Sequence, residues 1–289
     1  MLPTRLMPAP LTIGTSVRDA LDGAITAIAA AGCETPRLDA ELLLADVLGV
    51  GRERLCTDPD LLVAGPVVRA FQNAVRRRAV QREPVAYILG RRGFRRLELS
   101  VDPRALIPRP ESELLVEVAL GLGAGARVLD LGTGSGAVAL ALKDERPDLN
   151  VSGSDASERA LELARANAER LALDVQWLHA DLFDGVGEFD AILCNPPYVA
   201  ESERAELQPE IVRHEPPEAL FAGPDGLSSI RALLAQLAER PQVRFLALEI
   251  GAGQAPAVAE LTRAAGFDTI RFERDLARVQ RVVVAERST

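Results

Sequence analysis

The sequence has few cysteines and histidines, and this shortage excludes several kinds of site. Its three cysteines, Cys33, Cys56 and Cys194, form no C-x-x-C pair, so neither a disulfide framework nor a zinc site is predicted. An odd set of thiols suits a reducing compartment, and we expect a cytoplasmic protein. The two histidines, His179 and His214, belong to no ligand or catalytic motif. We therefore predict no metal site, and we expect both histidines to be structural or surface residues.

Long apolar runs and an excess of positive charge are absent as well. No continuous segment reaches the length of a signal sequence or a membrane span, so no membrane partner is expected. Residues 1–12, which contain three prolines, are expected to be a frayed lead-in. The 42 acidic residues outnumber the 33 basic ones and give a formal net charge of −9. Such a chain is poorly matched to a polyanion, and stable nucleic-acid binding is not expected.

Helical periodicity dominates the first 83 residues, and no strand is predicted there. Helices are expected over about 16–32, 35–49, 52–55 and 66–82, each opened or closed by a capping residue, a proline or a glycine. We therefore predict a small all-helical domain over residues 1–83. The arginine run Arg76–Arg78 on its last helix is predicted to be a solvated face rather than a nucleic-acid contact.

The pattern changes over residues 84–110, which we predict to be a hairpin linker. Partial alternation from Phe94 to Val101 indicates the hairpin. In the segment that follows, two prolines bracket Arg109. Glu111 and Glu113 then fall in the first turn of a helix expected to reach about residue 122, where acidic side chains suit the helix dipole.

Strands and helices alternate from residue 126 onward. This order predicts a doubly wound α/β domain over residues 111–289, with a mostly parallel seven-stranded sheet. Strands are expected over 126–131, 150–154, 174–178, 189–194, 243–249, 267–272 and 279–285, and helices near 136–145, 157–171, 226–239 and 254–265. The last two strands have a short connection and are expected to pair antiparallel and close the edge.

A glycine loop, Gly132-Thr133-Gly134-Ser135-Gly136, follows the first of these strands. Ligands bind at the carboxyl ends of strands in such folds, and glycines there let a ligand approach the backbone. The spacing is G-x-G-x-G rather than the G-x-G-x-x-G of dinucleotide sites, and Asp130 precedes it. A carboxylate there disfavours a phosphate. A cofactor with an amino-acid end and no phosphate fits better.

Acidic residues also follow the next two strands. Asp155 ends the second strand, at the distance where an acid takes ribose hydroxyls in nucleotide-binding α/β folds. Asp181 follows the third strand, where its carboxylate could accept from an adenine amine while Leu182 covers the ring. We therefore predict that Asp155, Asp181 and Leu182 bind the nucleoside part of the cofactor.

The motif Asn195-Pro196-Pro197-Tyr198 ends a buried strand and predicts a rigid pocket for a planar NH2 group. Each proline fixes its φ and has no N–H, so the local carbonyls are held in place and left free to accept. The Asn195 side-chain oxygen and the Pro196 carbonyl could accept one amide hydrogen each. Tyr198 would stack on the flat group.

Together these motifs resemble a class I S-adenosylmethionine-dependent methyltransferase of the amino-methylating branch. The helical domain, the chain length and the Leu106-Ile107-Pro108-Arg109-Pro110-Glu111 segment are similar to the HemK-type peptide chain release factor N5-glutamine methyltransferases, essentially over residues 15–286. Ser112 stands where relatives often carry threonine, a departure we expect to matter little.

The resemblance implies a function and assigns roles to residues. S-adenosylmethionine would be the cofactor, and its methyl group would pass to the glutamine side chain of the Gly-Gly-Gln loop in class 1 release factors. Asn195, Pro196 and Tyr198 would act in catalysis, and Asn195 would also contact the cofactor. Phe94, Ile107 and Arg109 would lie near the substrate entrance, and Pro197 would bind the substrate with the rest of its motif. The helical domain would dock the protein substrate.

Three alternatives stay open at this point. Adenine-N6 methyltransferases of DNA or RNA use a similar tetrapeptide on a similar amine, although the acidity of this chain weighs against them. A glutamine methyltransferase acting on a ribosomal protein is the second, and the Ile-Pro-Arg-Pro-Glu run weighs against it. The third is a non-catalytic cofactor-binding protein that retains the fold.

Overall fold

The structure is a computed structural model that describes residues 14–288. The lead-in predicted over residues 1–12 lies outside the described residues. The chain divides into two compact units between Leu89 and Gly90, so the linker predicted over residues 84–110 crosses this division. No helix among the described residues is long and apolar enough to cross a membrane.

The first unit is helical, as predicted. Its helices are α1 (Val17–Ala30), α2 (Pro36–Leu48), α3 (Arg52–Thr57), α4 (Pro66–Ala79) and α5 (Val85–Leu89). Ser16 caps α1, because its Oγ accepts from the backbone N–H of Asp19 at 3.0 Å. Two strands were not predicted, β1 (Gly14–Ser16) and β2 (Leu62–Ala64), which pair antiparallel. Three residues are too few for a period-two pattern to show in the sequence.

A buried ion pair crosses the core of this unit. The Arg78 Nε donates to Asp39 Oδ2 at 2.6 Å, and both residues are buried. The expectation of a solvated arginine face is therefore wrong for Arg78, while Arg76 is exposed. A buried guanidinium needs a carboxylate partner, and removal of one member of such a pair costs about 3–5 kcal/mol.

The second unit contains the α/β domain. A hairpin of β3 (Arg91–Phe94) and β4 (Leu97–Ser100) leads to a 3-10 turn over Pro110–Ser112 and α6 (Glu113–Ala119). The remaining strands are β5 (Arg127–Leu131), β6 (Asn150–Asp155), β7 (Gln176–His179), β8 (Ala191–Cys194), β9 (Phe245–Glu249), β10 (Thr269–Arg274) and β11 (Gln280–Glu286). The helices between them are α7 (Ala137–Glu145), α8 (Glu158–Leu171), α9 (Pro209–His214), α10 (Ser228–Ala238) and α11 (Ala255–Ala264).

Among the described residues these strands form a seven-stranded sheet in the order β10-β11-β9-β8-β5-β6-β7. The pairs β5–β6, β6–β7, β5–β8 and β8–β9 are parallel, whereas β11 is antiparallel to both β9 and β10. The doubly wound, mostly parallel sheet is confirmed, as is the antiparallel pairing of the last two strands. β11 inserts between β9 and β10, so β10 forms the edge.

The strand order reverses beside β5, and this reversal sets the position of a ligand crevice. The chain runs from β5 to β6 and β7 on one side, and then to β8 and β9 on the other. The crossover connections therefore diverge between β5 and β8, where open α/β sheets bind ligands at the carboxyl ends of the strands. Every residue of β8 and β9 is buried, so these two strands give rigid support to the side chains at their ends.

Candidate active site

A cavity of about 510 Å³ opens at the carboxyl ends of β5, β6 and β8. This volume lies within the range of pockets for small molecules and cofactors. One end is lined by Gly132–Ser135 of the glycine loop and by Asp155, Asp181 and Leu182. The other end is lined by Asn195, Pro196 and Pro197, and residues of the segment 104–109 also line the cavity. The cavity thus joins the predicted cofactor motif to the predicted amide pocket.

The glycine loop has the open backbone that a closely bound ligand requires. Gly132 and Gly134 have φ values of +72° and +56°, in the left-handed region that favours glycine. No atom outside its neighbours lies within 4 Å of the place where a Gly132 Cβ would stand. Gly136 differs, because a Cβ there would lie 3.0 Å from the Trp177 ring. Gly132 and Gly134 line the cavity, whereas Gly136 packs against its neighbours and does not.

Asp130 is buried at the end of β5, beneath the glycine loop. Its Oδ2 accepts from the Thr133 hydroxyl at 2.6 Å and from the Ala139 N–H at 3.1 Å. Burial raises the pKa of Asp130 to about 6, although these two hydrogen bonds act in the opposite direction. Both bonds fall on Oδ2, so Oδ1 is left for a ligand. A cationic ammonium group would fit there and would lower the pKa again.

Asp155 supports the loop and also faces the cavity. Its Oδ2 accepts from the Gly134 N–H at 2.9 Å, and its Oδ1 accepts from the Ser157 N–H at 2.8 Å. Each carboxylate oxygen has a second lone pair, so the pair of ribose hydroxyls can still be accepted. Burial raises the pKa of Asp155. Donors supplied by a nucleoside would offset this desolvation, and the residue therefore fits the role predicted for it.

The nucleoside end of the cavity holds a polar atom without a partner. The Ser154 Oγ at the end of β6 is buried, and within the described chain it makes no hydrogen bond. Ser154 lines the cavity beside Asp155, and a buried hydroxyl without a partner is costly. Asp181 is exposed on the same wall, next to Leu182. These groups fit a polar, flat ligand such as the adenosine half of S-adenosylmethionine.

Asn195 belongs to a partly buried hydrogen-bond chain at the other end of the cavity. Its Nδ2 donates to Ser112 Oγ at 3.0 Å, and Ser112 Oγ donates to Glu249 Oε2 at 2.6 Å. The Tyr198 hydroxyl donates to Glu249 Oε1 at 3.2 Å. Glu249 is 1% exposed, and burial raises its pKa to about 7. The bond through Nδ2 leaves the Asn195 Oδ1 as the acceptor for a ligand.

The Tyr198 ring packs against the core of the second unit. It contacts the buried cluster that contains Leu248 and Ile250, and Tyr198 does not line the cavity. Burial and the Glu249 carboxylate raise the pKa of its hydroxyl. The structure thus shows Tyr198 as a partner of Glu249. Its stacking on a substrate amide stays a prediction.

The segment before α6 forms one wall of the cavity. The Ile107 N–H donates to Glu215 Oε2 at 3.1 Å, and Arg109 Nη2 donates to Glu215 Oε1 at 2.5 Å. Glu215 follows α9, and its side chain is only 1% exposed. Phe94, Ile107 and Arg109 all line the cavity, and their place near a substrate entrance stays a prediction. The Glu215 carboxylate holds Ile107 and Arg109 in place.

Sequence reasoning missed three residues of this site. Glu249 ends an apolar strand, which is the same signal that singled out Asp130 and Asp155, and it could have been found. Glu215 precedes two prolines and carries no such signal. Ser112 was noted only as a departure from threonine and was given no role, but its hydroxyl, which threonine would also supply, connects Asn195 to Glu249.

Known families match both parts of the chain. The family described as PrmC N-terminal domain matches residues 19–90, and the Methyltransferase small domain matches residues 110–223. A release factor glutamine methyltransferase from Caulobacter vibrioides is 39% identical, over 88% of this chain and 90% of its own length. One from Pseudomonas aeruginosa is 44% identical, over 86% and 92%. One from Vibrio cholerae is 38% identical, over 96% and 99%.

Solved structures share the fold at low identity. The hMettl16 catalytic domain in complex with MAT2A 3′UTR hairpin 6 gives a TM-score of 0.53 at 18% identity, over 76% of this chain and 81% of that one. A methyltransferase from Pyrococcus furiosus gives a TM-score of 0.50 at 19% identity, over 67% and 90%. At these identities the likeness concerns the fold alone.

Proposed function

The chain belongs to the family of release factor glutamine methyltransferases, and from this premise we propose its reaction. It transfers a methyl group from S-adenosylmethionine to the side-chain amide nitrogen of the glutamine in the Gly-Gly-Gln motif of class 1 release factors. The reaction takes place in the cytoplasm. The N-terminal helical unit contributes to docking of the protein substrate.

One observation carries the proposal. A single cavity is lined by the glycine loop with Asp155 at one end and by Asn195, Pro196 and Pro197 at the other. A methyl donor and a planar amide can therefore meet inside it, as group transfer requires. The bond from Asn195 Nδ2 to Ser112 directs the Asn195 Oδ1 away from Ser112. That oxygen is the type of acceptor that an NH2 group needs.

Residues of this chain supply positioning and electrostatic stabilisation. A glutamine nitrogen is a poor nucleophile because its lone pair is delocalised into the carbonyl. Acceptance of its two N–H groups by Asn195 Oδ1 and the Pro196 carbonyl would orient the lone pair and stabilise the positive charge that develops on nitrogen. S-adenosylmethionine, when bound, would supply the methyl group, with its S–C bond breaking as the N–C bond forms. The nitrogen then releases its proton to solvent, so no strong base is needed.

Residues at the first end of the cavity would hold the donor. Asp130 and the loop Gly132–Gly136 suit the amino-acid part, while Asp155, Asp181 and Leu182 suit the nucleoside. Asp130 is buried and Asp155 is half-buried, and burial raises the pKa of both carboxyl groups. A ligand with an ammonium group and ribose hydroxyls would offset that cost.

Tritiated methyl transfer tests the proposed substrate. Purified class 1 release factors, their Gln→Ala variants in the Gly-Gly-Gln motif, a ribosomal protein and DNA are offered in parallel. We expect label in the release factors and none in the Gln→Ala variants. Label confined to DNA or to the ribosomal protein would contradict the proposed substrate.

A further inference from the structure

The side-chain amide of Asn195 has two possible orientations, and only one suits the proposed reaction. With Oδ1 toward the substrate, it accepts a hydrogen from the glutamine NH2. With the amide turned by 180°, Nδ2 would face that NH2, and two donors would oppose each other. Such a mismatch in a buried site removes a hydrogen bond and leaves polar groups unsatisfied. A neighbouring group must therefore select the orientation.

Ser112 makes that selection through its single proton. Its hydroxyl donates to Glu249 Oε2 at 2.6 Å, so only lone pairs are left for Asn195. Asn195 therefore donates through its Nδ2 to Ser112 Oγ at 3.0 Å. Ser112 is buried and so is Glu249, which keeps water from supplying an alternative donor or acceptor.

Glu249 determines in turn where the Ser112 proton points. An ionised carboxylate can only accept, and Glu249 accepts from Ser112 at one oxygen and from the Tyr198 hydroxyl at the other. Every hydrogen bond in the chain then donates toward Glu249: Asn195 donates to Ser112, and Ser112 and Tyr198 donate to the carboxylate. A protonated Glu249 could instead donate to Ser112, whose own proton would turn toward Asn195 and favour the reversed amide.

We propose that Glu249 is a positioning residue, whose carboxylate acts through Ser112 to hold the Asn195 amide with Oδ1 facing the substrate nitrogen. This inference rests on the proposed function, because it concerns the same acceptor. It adds a charge requirement that the cavity lining alone does not imply: Glu249 must be ionised for transfer to be fast.

The charged groups around Glu249 place this requirement near neutral pH. Burial is the main reason that its pKa is raised to about 7, and Glu111 raises it further. The hydrogen bonds from Ser112 and Tyr198 lower it, and so does Arg281 on the neighbouring strand β11. The Cys194 thiol on β8 also lies within the electrostatic influence of Glu249. Burial, and to a lesser extent the charge of Glu249, raises the pKa of Cys194 well above its usual value, so the thiol stays neutral. Glu249 therefore loses its charge as the pH falls through about 7.

The test is the pH dependence of kcat at saturating cofactor and substrate. We expect the wild-type kcat to be about tenfold lower at pH 6 than at pH 8. At pH 6 only about a tenth of the Glu249 side chains are ionised, whereas at pH 8 about nine tenths are. Glu249→Gln can point its amide either way, so its kcat should be about tenfold lower at pH 8 and flat between pH 6 and 8. Ser112→Ala should behave in the same way, whereas Ser112→Thr keeps the hydroxyl and should restore the profile.

Glu145→Gln is the matched control. It removes another carboxylate of this unit, whose side chain is 6% exposed, pairs with Arg95 and does not line the cavity. Its profile should match the wild type. Calorimetric titration with S-adenosylhomocysteine at pH 8 should give similar Kd values for Glu249→Gln and the wild type, which separates positioning from loss of the cofactor site.

Two outcomes would overturn the proposal: Glu249→Gln with the wild-type kcat, or Glu249→Gln with the wild-type fall in kcat below pH 7. The profiles are recorded on whichever amide or amine substrate the wild-type enzyme labels. Absence of label in release factors would thus contradict the proposed substrate alone, and the role of Glu249 would still be decided.

Discussion

At the scale of single residues, Glu249 combines a functional requirement with a cost to stability. Its side chain is buried at the end of β9, and its pKa of about 7 means that ionisation inside the fold is unfavourable. The ordinary value for a glutamate is 4.5. The folded protein therefore binds a proton more tightly than the unfolded chain between these two pH values. The ionised Glu249 carboxylate that orients Asn195 therefore lowers the free energy of unfolding.

This difference predicts how stability responds to pH when Glu249 is replaced. As pH rises from 4.5 to 7, the folded wild type keeps a proton that the unfolded chain loses, so its stability falls and then levels off above about pH 7. Glu249→Gln has no such proton. We therefore expect the free energy of unfolding of the variant, relative to that of the wild type, to rise by about 2–3 kcal/mol from pH 5 to pH 8.

Urea unfolding of both proteins at pH 5 and pH 8 measures this gain. Asp130 also has a raised pKa, but it is present in both proteins and its contribution cancels. Free energies of unfolding that change in parallel between the two pH values would show that Glu249 is not a buried charge in the folded protein.

At the scale of elements, the segment before α6 has its shape fixed by a residue far away in sequence. Glu215, after α9, accepts from the Ile107 backbone and from the Arg109 guanidinium. Both prolines beside Arg109 lack an N–H, so the segment cannot form a strand ladder of its own. The carboxylate replaces that ladder, and the wall of the cavity depends on it.

Removal of this carboxylate should affect stability and substrate use together. Glu215→Ala leaves the Ile107 N–H without its acceptor and Arg109 without its partner, and we expect a loss of about 2–4 kcal/mol. Glu215→Gln keeps an oxygen for Ile107 and should lose less than half of that. We also expect a higher KM for the protein substrate in Glu215→Ala, measured by methyl transfer with cofactor in excess.

Glu158→Ala provides the comparison for this experiment. Glu158 forms an ion pair with Arg165 at 2.5 Å, and both side chains are more than 40% exposed. Exposed pairs contribute about 0–1 kcal/mol, so this variant should unfold almost as the wild type does. Equal losses in Glu215→Ala and Glu158→Ala would contradict the role given to Glu215.

The same elements show what the sequence could and could not predict. The strands were predicted within about two residues, because strands buried on both faces are short apolar runs bounded by turn residues. The short helix Pro209–His214 was not predicted, since six residues carry too little periodicity. The bonds of Glu215 to Ile107 and of Ser112 to Glu249 join residues 108 and 137 positions apart. Their partners depend on the folded arrangement and not on local pattern.

At the scale of the whole molecule, each of the two units has a hydrophobic core of its own. The core of the helical unit includes Val17, Ile28 and Phe71, whereas the clusters on the two faces of the sheet contain residues of the second unit. The cavity is lined entirely by residues of the second unit. Cofactor binding and substrate docking can therefore be separated experimentally.

Deletion of the first 89 residues makes that separation. The shortened chain, beginning at Gly90, should bind S-adenosylhomocysteine with a Kd within about threefold of the full chain, because the cavity is complete. Its kcat/KM for a release factor should fall by about tenfold or more if the helical unit is a second docking surface. Calorimetry and initial rates measure the two quantities. An unchanged kcat/KM would contradict the docking role.

The central claim is that one cavity holds a methyl donor at Asp155 and an amide acceptor at Asn195. It is tested most directly by measuring the Kd for S-adenosylmethionine and the single-turnover rate of release-factor methylation in Asn195→Ala and Asp155→Ala. Asn195→Ala should lose about a hundredfold or more in rate with little change in Kd. Asp155→Ala should show a Kd raised by about a hundredfold, with most of the rate recovered at saturating cofactor. A near-normal rate in Asn195→Ala would contradict the account.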